Sequence, residues 1–258
     1  MLETLKKPTV AISVPRPETK TRLGDPDGHS LRLFLGQVWA IVNKDIRAEL
    51  RSKEVAGATW VFALLVLVVF NFAFDLEREE MGPAGPGMLW VAIVLAGMLG
   101  LNHVFAKERE QSCLEGLILC PVDRSVIYFG KLAGALVFTL ALEVAVLPVF
   151  AVFTSLPVFT PAPLLVLLPG TLGFVAVGTL FAAIVANART REVLLPILLL
   201  PVVTPVLVSA VNATGLSFDG EPWSKLAPWL GILAAFDAIY LVLSPWLFDQ
   251  VVQELGPE

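Results

Sequence analysis

Six long apolar runs, with most of the charge confined to the stretches between them, constrain this chain more than any other feature. They cover approximately residues 57–74, 88–106, 132–156, 164–186, 193–211 and 229–248. Each reaches or approaches the ~20 residues that a helix needs to cross ~30 Å of hydrocarbon. Backbone groups in lipid must be satisfied internally, which leaves helices or closed barrels, and the roughly ten-residue alternation of a barrel strand is not visible. With 56% hydrophobic and 16% charged residues, the composition is that of an integral membrane protein. The predicted fold is all-α, with six transmembrane helices.

The flanking and connecting stretches add two amphipathic elements. Residues 1–32 carry Pro8, Pro15, Pro17 and Pro26 with scattered charge and no periodicity, so they read as a disordered cytoplasmic tail. Over 33–56, Val38, Val42, Ile46 and Leu50 recur every four residues along one face. Lys44, Asp45, Arg47, Glu49, Arg51, Lys53 and Glu54 fill the other, Glu49 and Lys53 are ordered for an i, i+4 pair, and Trp39 supplies an interfacial anchor. This pattern predicts a helix lying in the membrane interface before the first span; the competing reading is a soluble amphipathic helix. The six-span unit then occupies 57–248, and 249–258 form a cytoplasmic C-terminal tail.

Between spans two and three, Lys107-Glu108-Arg109-Glu110 is too polar for lipid. Leu114, Leu117 and Ile118 follow at i, i+3, i+4 spacing, one apolar helical face. Pro121 stops that helix and Asp123 is placed to cap the next one. Such a short helix can lie on the membrane or in a groove of a partner, and an ordinary loop with a helical turn is the alternative.

Basic residues set the orientation. By parity, the segment before span one, the central loop and the fourth connection share a side and hold sixteen of the 18 Lys and Arg residues. Only Arg78 and Lys225 lie opposite, which places both termini in the cytoplasm. The outer connections read as 75–87, acidic and then Gly/Pro-rich, and 212–228, which holds Trp223. The second reads as interfacial anchors or short elements dipping into the membrane. The six-residue stretch Gly82 to Gly87 lacks the Lys-Ser/Thr ending of a phosphate loop.

Candidates for chemistry are few. There is no G-x-x-x-x-G-K-[ST], no H-E-x-x-H and no nucleophile elbow, so catalysis by this chain is not expected. A net charge of −5 spread over loops and tails argues against a nucleic-acid partner. Cys113 and Cys120 match no metal or redox spacing and read as small apolar fillers. Glu143 and Asp237 sit inside spans, at a cost of roughly 2.5–3.5 kcal/mol each, so each should face a bundle interior, a cavity or a partner. A cargo or proton path and a satisfied interhelical hydrogen bond are the two readings. His103, near the inner end of span two, could ligate a metal or haem iron, but no second ligand accompanies it; a hydrogen-bonded interfacial His is the plainer reading. Gly130 and Gly134 form a G-x-x-x-G at the head of span three. Ala92, Ala96 and Gly100 repeat the small-residue spacing in span two, and Gly178 and Ala182 in span four, which permits close backbone approach within the bundle or across a dimer. Pro196, Pro201 and Pro205 predict that span five is bent or broken.

An interfacial helix, six spans and an amphipathic helix between spans two and three resemble the ABC-2 class of transporter permease. Within that class, Lys107-Glu108-Arg109-Glu110, Leu114-Glu115-Gly116-Leu117, Pro121, Asp123-Arg124 and Gly130-Lys131 resemble the central loop of the cytochrome c maturation permease family, haem exporter protein B. Leu89-Trp90, Leu142-Glu143-Val144, Gly170-Thr171-Leu172-Gly173 and Arg191-Glu192-Val193-Leu194-Leu195-Pro196 agree in order and spacing. The resemblance implies an elbow helix, a cytosolic coupling helix and a place in the bacterial cytoplasmic (inner) membrane. It also implies an ABC ATPase partner that binds the ATP, two permease copies, a haem-handling membrane subunit and a small accessory one. Leu114, Leu117 and Ile118 would then enter a groove on the ATPase, with Glu108, Arg109, Glu110 and Glu115 at its rim and Pro121 and Asp123 closing the element. Haem is the cargo the family name implies; ATP-driven release of haem-loaded chaperone is the other use of the energy. An ABC-2 permease for lipid or polysaccharide, and an ion-coupled carrier using Glu143 and Asp237, are the competing functions.

Overall fold

The computed structural model describes residues 29–52, 54–74, 78–104, 123–186, 188 and 190–254. Among them the chain forms seven helices and no strand: α1 His29–Ser52, α2 Glu54–Phe74, α3 Arg78–Val104, α4 Arg124–Thr154, α5 Pro161–Val185, α6 Arg191–Phe218 and α7 Trp223–Glu254. The six from α2 to α7 are each long and apolar enough to cross a membrane.

Their burial divides them into inner and outer helices. Two thirds (67%) of the apolar windows of α3 and α5 are buried, against 22% for α2 and 17% for α7. α5 is central, touching α3, α4, α6 and α7. Lipid offers no hydrophobic drive for helices to associate, so this centre depends on close packing. Glycine provides it. A Cβ on Gly170 would collide with Trp90 Cη2, and one on Gly178 with Leu101 Cδ1; one on Gly97 would sit 2.6 Å from Phe174 Cε1. α3 and α5 therefore exchange large side chains across each other's glycines. Trp90 completes the seam by donating its indole N–H to Thr214 Oγ1 of α6 at 3.0 Å, both residues buried.

Several sequence expectations are corrected. The stretch 82–87 is not an outer loop but lies inside α3, despite Pro83 and Pro86. Gly85 and Pro86 are buried; a Cβ on Gly85 would lie 2.5 Å from Leu156 Cδ1, and Pro86 packs beside Gly215. Tertiary contact here outweighs the poor helix propensity of Gly and Pro. The stretch 212–228 is not a long connection either. α6 runs to Phe218 and α7 starts at Trp223. Gly220, at φ +69°, ends α6 in a Schellman motif, with Glu221 N–H donating to Leu216 O and Gly220 N–H to Ser217 O. α6 passes through Pro196, Pro201 and Pro205 as one continuous helix, so span five is not broken. At the two ends of the chain, helix begins at His29 and continues to Glu254, beyond the apolar runs that marked the expected limits.

Candidate functional site

Among the described residues, polar contacts at the end of the bundle where α4 begins join it to α1 and α7. α1 packs along the first turns of α4 and touches α2, its neighbour in sequence, far less. Gly130 makes this approach close, since a Cβ there would lie 2.8 Å from Ile41 Cβ. One turn further, a Cβ on Gly134 would make ordinary contact, 3.7 Å, with Asp45 Cβ. Between the two glycines Lys131, only 2% exposed, donates from Nζ to Asp45 Oδ2 at 2.9 Å. Phe34 adds an edge contact to Phe129 at 6.0 Å between ring centroids. The G-x-x-x-G at 130–134 thus receives the interfacial helix.

Asp45 was expected on the charged face of α1 and lies instead on the packed one. Three residues separate it from buried Val42, which places both on the same side of a 3.6-residue helix. Four apolar residues in the first half of α1, Leu31, Leu33, Leu35 and Trp39, are exposed. α1 therefore packs on α4 through Phe34, Ile41 and Asp45 and leaves apolar side chains of its first half uncovered. At its end, Glu49 Oε1 accepts from the Ala56 N–H at 3.1 Å, capping the start of α2 across the elbow. Glu49 was expected to pair with Lys53, which lies outside the described residues. On the other flank of α4, Arg124 Nη1 donates to Asp249 Oδ1 of α7 at 2.8 Å.

Mid-span, the two acids occupy separate environments. Glu143 of α4 is buried and accepts a hydrogen bond from Thr171 Oγ1 of α5. Asp237 of α7 is buried against Gly173, where an added Cβ would meet its Oδ1 at 2.6 Å, and that oxygen has no hydrogen-bond partner among the described residues. Thr171 and Gly173 are two residues apart on α5 and face different sides of it. The two acids do not converge on one site.

Comparison with known proteins decides the family. The profile of the family described as CcmB protein matches residues 36–254. Heme exporter protein B of Pseudomonas aeruginosa is 31% identical over 197 residues, covering 76% of this chain and 86% of that one. Heme exporter protein B of Bradyrhizobium diazoefficiens is 31% identical over 80% of this chain and 93% of the relative. The Escherichia coli K12 protein of the same name is 29% identical, over 81% and 94%. The chain belongs to the CcmB family. It is a multi-pass helical membrane protein.

For this CcmB-family chain, most of the expected coupling residues fall outside the described residues: Glu108, Arg109, Glu110, Leu114, Glu115, Leu117, Ile118 and Pro121. Asp123 is described; it is exposed and extended at the N-cap of α4. Its backbone carbonyl accepts from Val126 N–H at 2.9 Å, but its carboxylate makes no capping bond, a departure from the expected side-chain cap. His103 is exposed in the last turn of α3. Among the described residues no three His, Cys, Asp or Glu side chains cluster as metal ligands. Gly178 packs under Leu101 within the bundle. Ile41 was not named from sequence, and Asp45, Trp90 and Thr171 only as a charge on the polar face or as members of family motifs. A helical wheel anchored on Val42 exposes Asp45, and a lysine lodged inside a G-x-x-x-G exposes its partner.

Proposed function

We propose that this chain is the permease subunit of an ABC transporter acting in cytochrome c maturation, moving haem or driving release of a haem-loaded chaperone. The relatives' name, heme exporter protein B, together with a family match over residues 36–254, is the observation that carries this reading. That match includes the polar segment between α3 and α4, where Leu114, Leu117 and Ile118 present an apolar stripe among charges. That spacing predicts an amphipathic helix, a form that fits a groove on a partner. The chain has no phosphate-binding loop of its own, so ATP is hydrolysed on a separate ATPase subunit and this subunit is non-catalytic. Two permease copies, a haem-handling membrane subunit and a small accessory one complete the complex in the bacterial inner membrane, with both termini cytoplasmic.

In this reading Leu114, Leu117 and Ile118 seat in the ATPase, Glu108, Arg109, Glu110 and Glu115 line the rim, and Pro121 and Asp123 set where α4 starts. Closure of the ATPase on nucleotide pushes this element and shifts α3 and α4. The test is co-purification of the ATPase with Leu117→Asp, or with Glu108→Lys and Glu110→Lys together. The expected result is loss of the ATPase while the permease still inserts and folds. Undiminished pairing sinks the assignment.

A further inference from the structure

We propose that α1 is a transmission arm, bound to α4 by the Asp45–Lys131 pair, that carries movement at the start of α4 into the first span. This rests on the coupling reading above and deepens it: Asp45 and Lys131 are positioning residues for that step.

Lys131 lies eight residues after Asp123, about 12 Å along α4 from the point where the polar segment enters the helix. A lysine this deeply buried (2% exposed) is tolerated where an acid meets it, and Asp45 meets it at 2.9 Å. Gly130 lies under Ile41 and Gly134 beside Asp45, so one turn of α4 is held against one turn of α1 at three successive points. Apolar packing alone would let α1 slide along α4; an ion pair out of water weakens with separation and so fixes the register. Beyond this joint, Glu49 caps the Ala56 N–H, and Glu49 and Ala56 belong to α1 and α2 respectively. A displacement of the first turns of α4 therefore passes through Lys131 and Asp45 to α1, and through Glu49 to α2. The exposed Leu31, Leu33, Leu35 and Trp39 of its first half keep the arm seated on the bilayer while it moves. In this scheme the polar segment drives three spans: α3 and α4 directly, and α2 through the arm.

The test uses the full chain co-expressed with its ATPase subunit, with Cys113→Ser and Cys120→Ser as background. Asp45→Cys with Gly134→Cys replaces the pair by a covalent tie, since 3.7 Å between the β-carbons suits a disulfide; Lys131→Met is added to remove the buried charge. Asp45→Asn with Lys131→Met removes the pair without a tie, and Asp45→Lys with Lys131→Asp swaps it. Two quantities are read for each: ATPase retained on purification, and the ATP turnover that the permease elicits in the membrane complex. Expected is normal retention throughout. Turnover should fall about ten-fold in the untied double variant, return in the charge swap, return in the oxidised disulfide variant and fall again on reduction. Unchanged turnover in the untied variant, or loss of turnover on closing the disulfide, overturns the inference and leaves the coupling reading standing. If the wild-type chain retains no ATPase, both fall.

Discussion

The seam between α3 and α5 at the centre of the bundle and the seam between α1 and α4 at its end are built from the same device, a glycine beneath a neighbour's side chain. They differ in what the neighbour is. In the centre, Trp90 and Leu101 of α3 press on Gly170 and Gly178, and Phe174 presses back on Gly97. Contacts of that kind fix distance but have little direction. At the end, Ile41 lies over Gly130, and the adjacent Lys131 meets Asp45 as an ion pair. That contact has a sign and a register. The centre thus specifies how closely the spans pack, and the end specifies where α1 stands along α4. A membrane bundle gains little from hydrophobicity between its helices, so both jobs fall to packing and to polar pairs.

The largest effect is expected at the ion pair. Asp45→Ala removes the carboxylate facing a buried ammonium and should cost about 3–5 kcal/mol. Lys131→Ala should cost less, because Asp45 is 24% exposed and water reaches it. Adding Lys131→Met to Asp45→Ala should recover most of the loss. Apparent melting temperatures of the detergent-solubilised protein test this order; equal losses for the two single variants would show that burial does not govern the pair.

The central seam is sharpened by Gly170→Ala. The new methyl cannot coexist with Trp90, and overpacking of this sort costs about 1–3 kcal/mol. Trp90→Leu in the same chain removes the colliding ring, at the cost of the bond to Thr214. The double variant should melt above Gly170→Ala if steric overlap causes most of the loss. A double variant no better than either single one would instead make the Trp90–Thr214 bond the main contribution of that residue.

How much of this was legible beforehand follows from which forces act locally. The six spans were legible, because crossing a bilayer demands apolar length and little else. The helix before the first span was legible from its four-residue repeat. Its packed face was not: counting every charge as solvent-facing put Asp45 on the wrong side, although its spacing from Val42 already joined them. Glycine and proline misled twice. In 82–87 they signal a loop, yet burial against Leu156 and Gly215 holds them in α3. In 212–228 the residue that matters is Gly220 alone, while Asn212 to Phe218 simply extend α6. At the site, Glu143 and Asp237 were visible as acids in apolar runs. That they face different sides of α5 depends on which helices surround it, which no single stretch of sequence encodes.

The smallest effect belongs to Arg124. Its pair with Asp249 has the shorter distance, 2.8 Å, but the side chains are 36% and 41% exposed. Ion pairs so placed contribute about 0–1 kcal/mol, because water screens them and two long side chains must be ordered. Arg124→Ala should therefore leave the melting temperature nearly unchanged, and whatever change it causes should vanish in high salt. Lys131 and Arg124 stand only seven residues apart on α4, so the two variants sample the same end of the same helix. Burial then accounts for any difference between them. Should Arg124→Ala destabilise as strongly as Asp45→Ala, the start of α4 would be held by α7 as firmly as by α1, and the joint with α1 would lose its special standing.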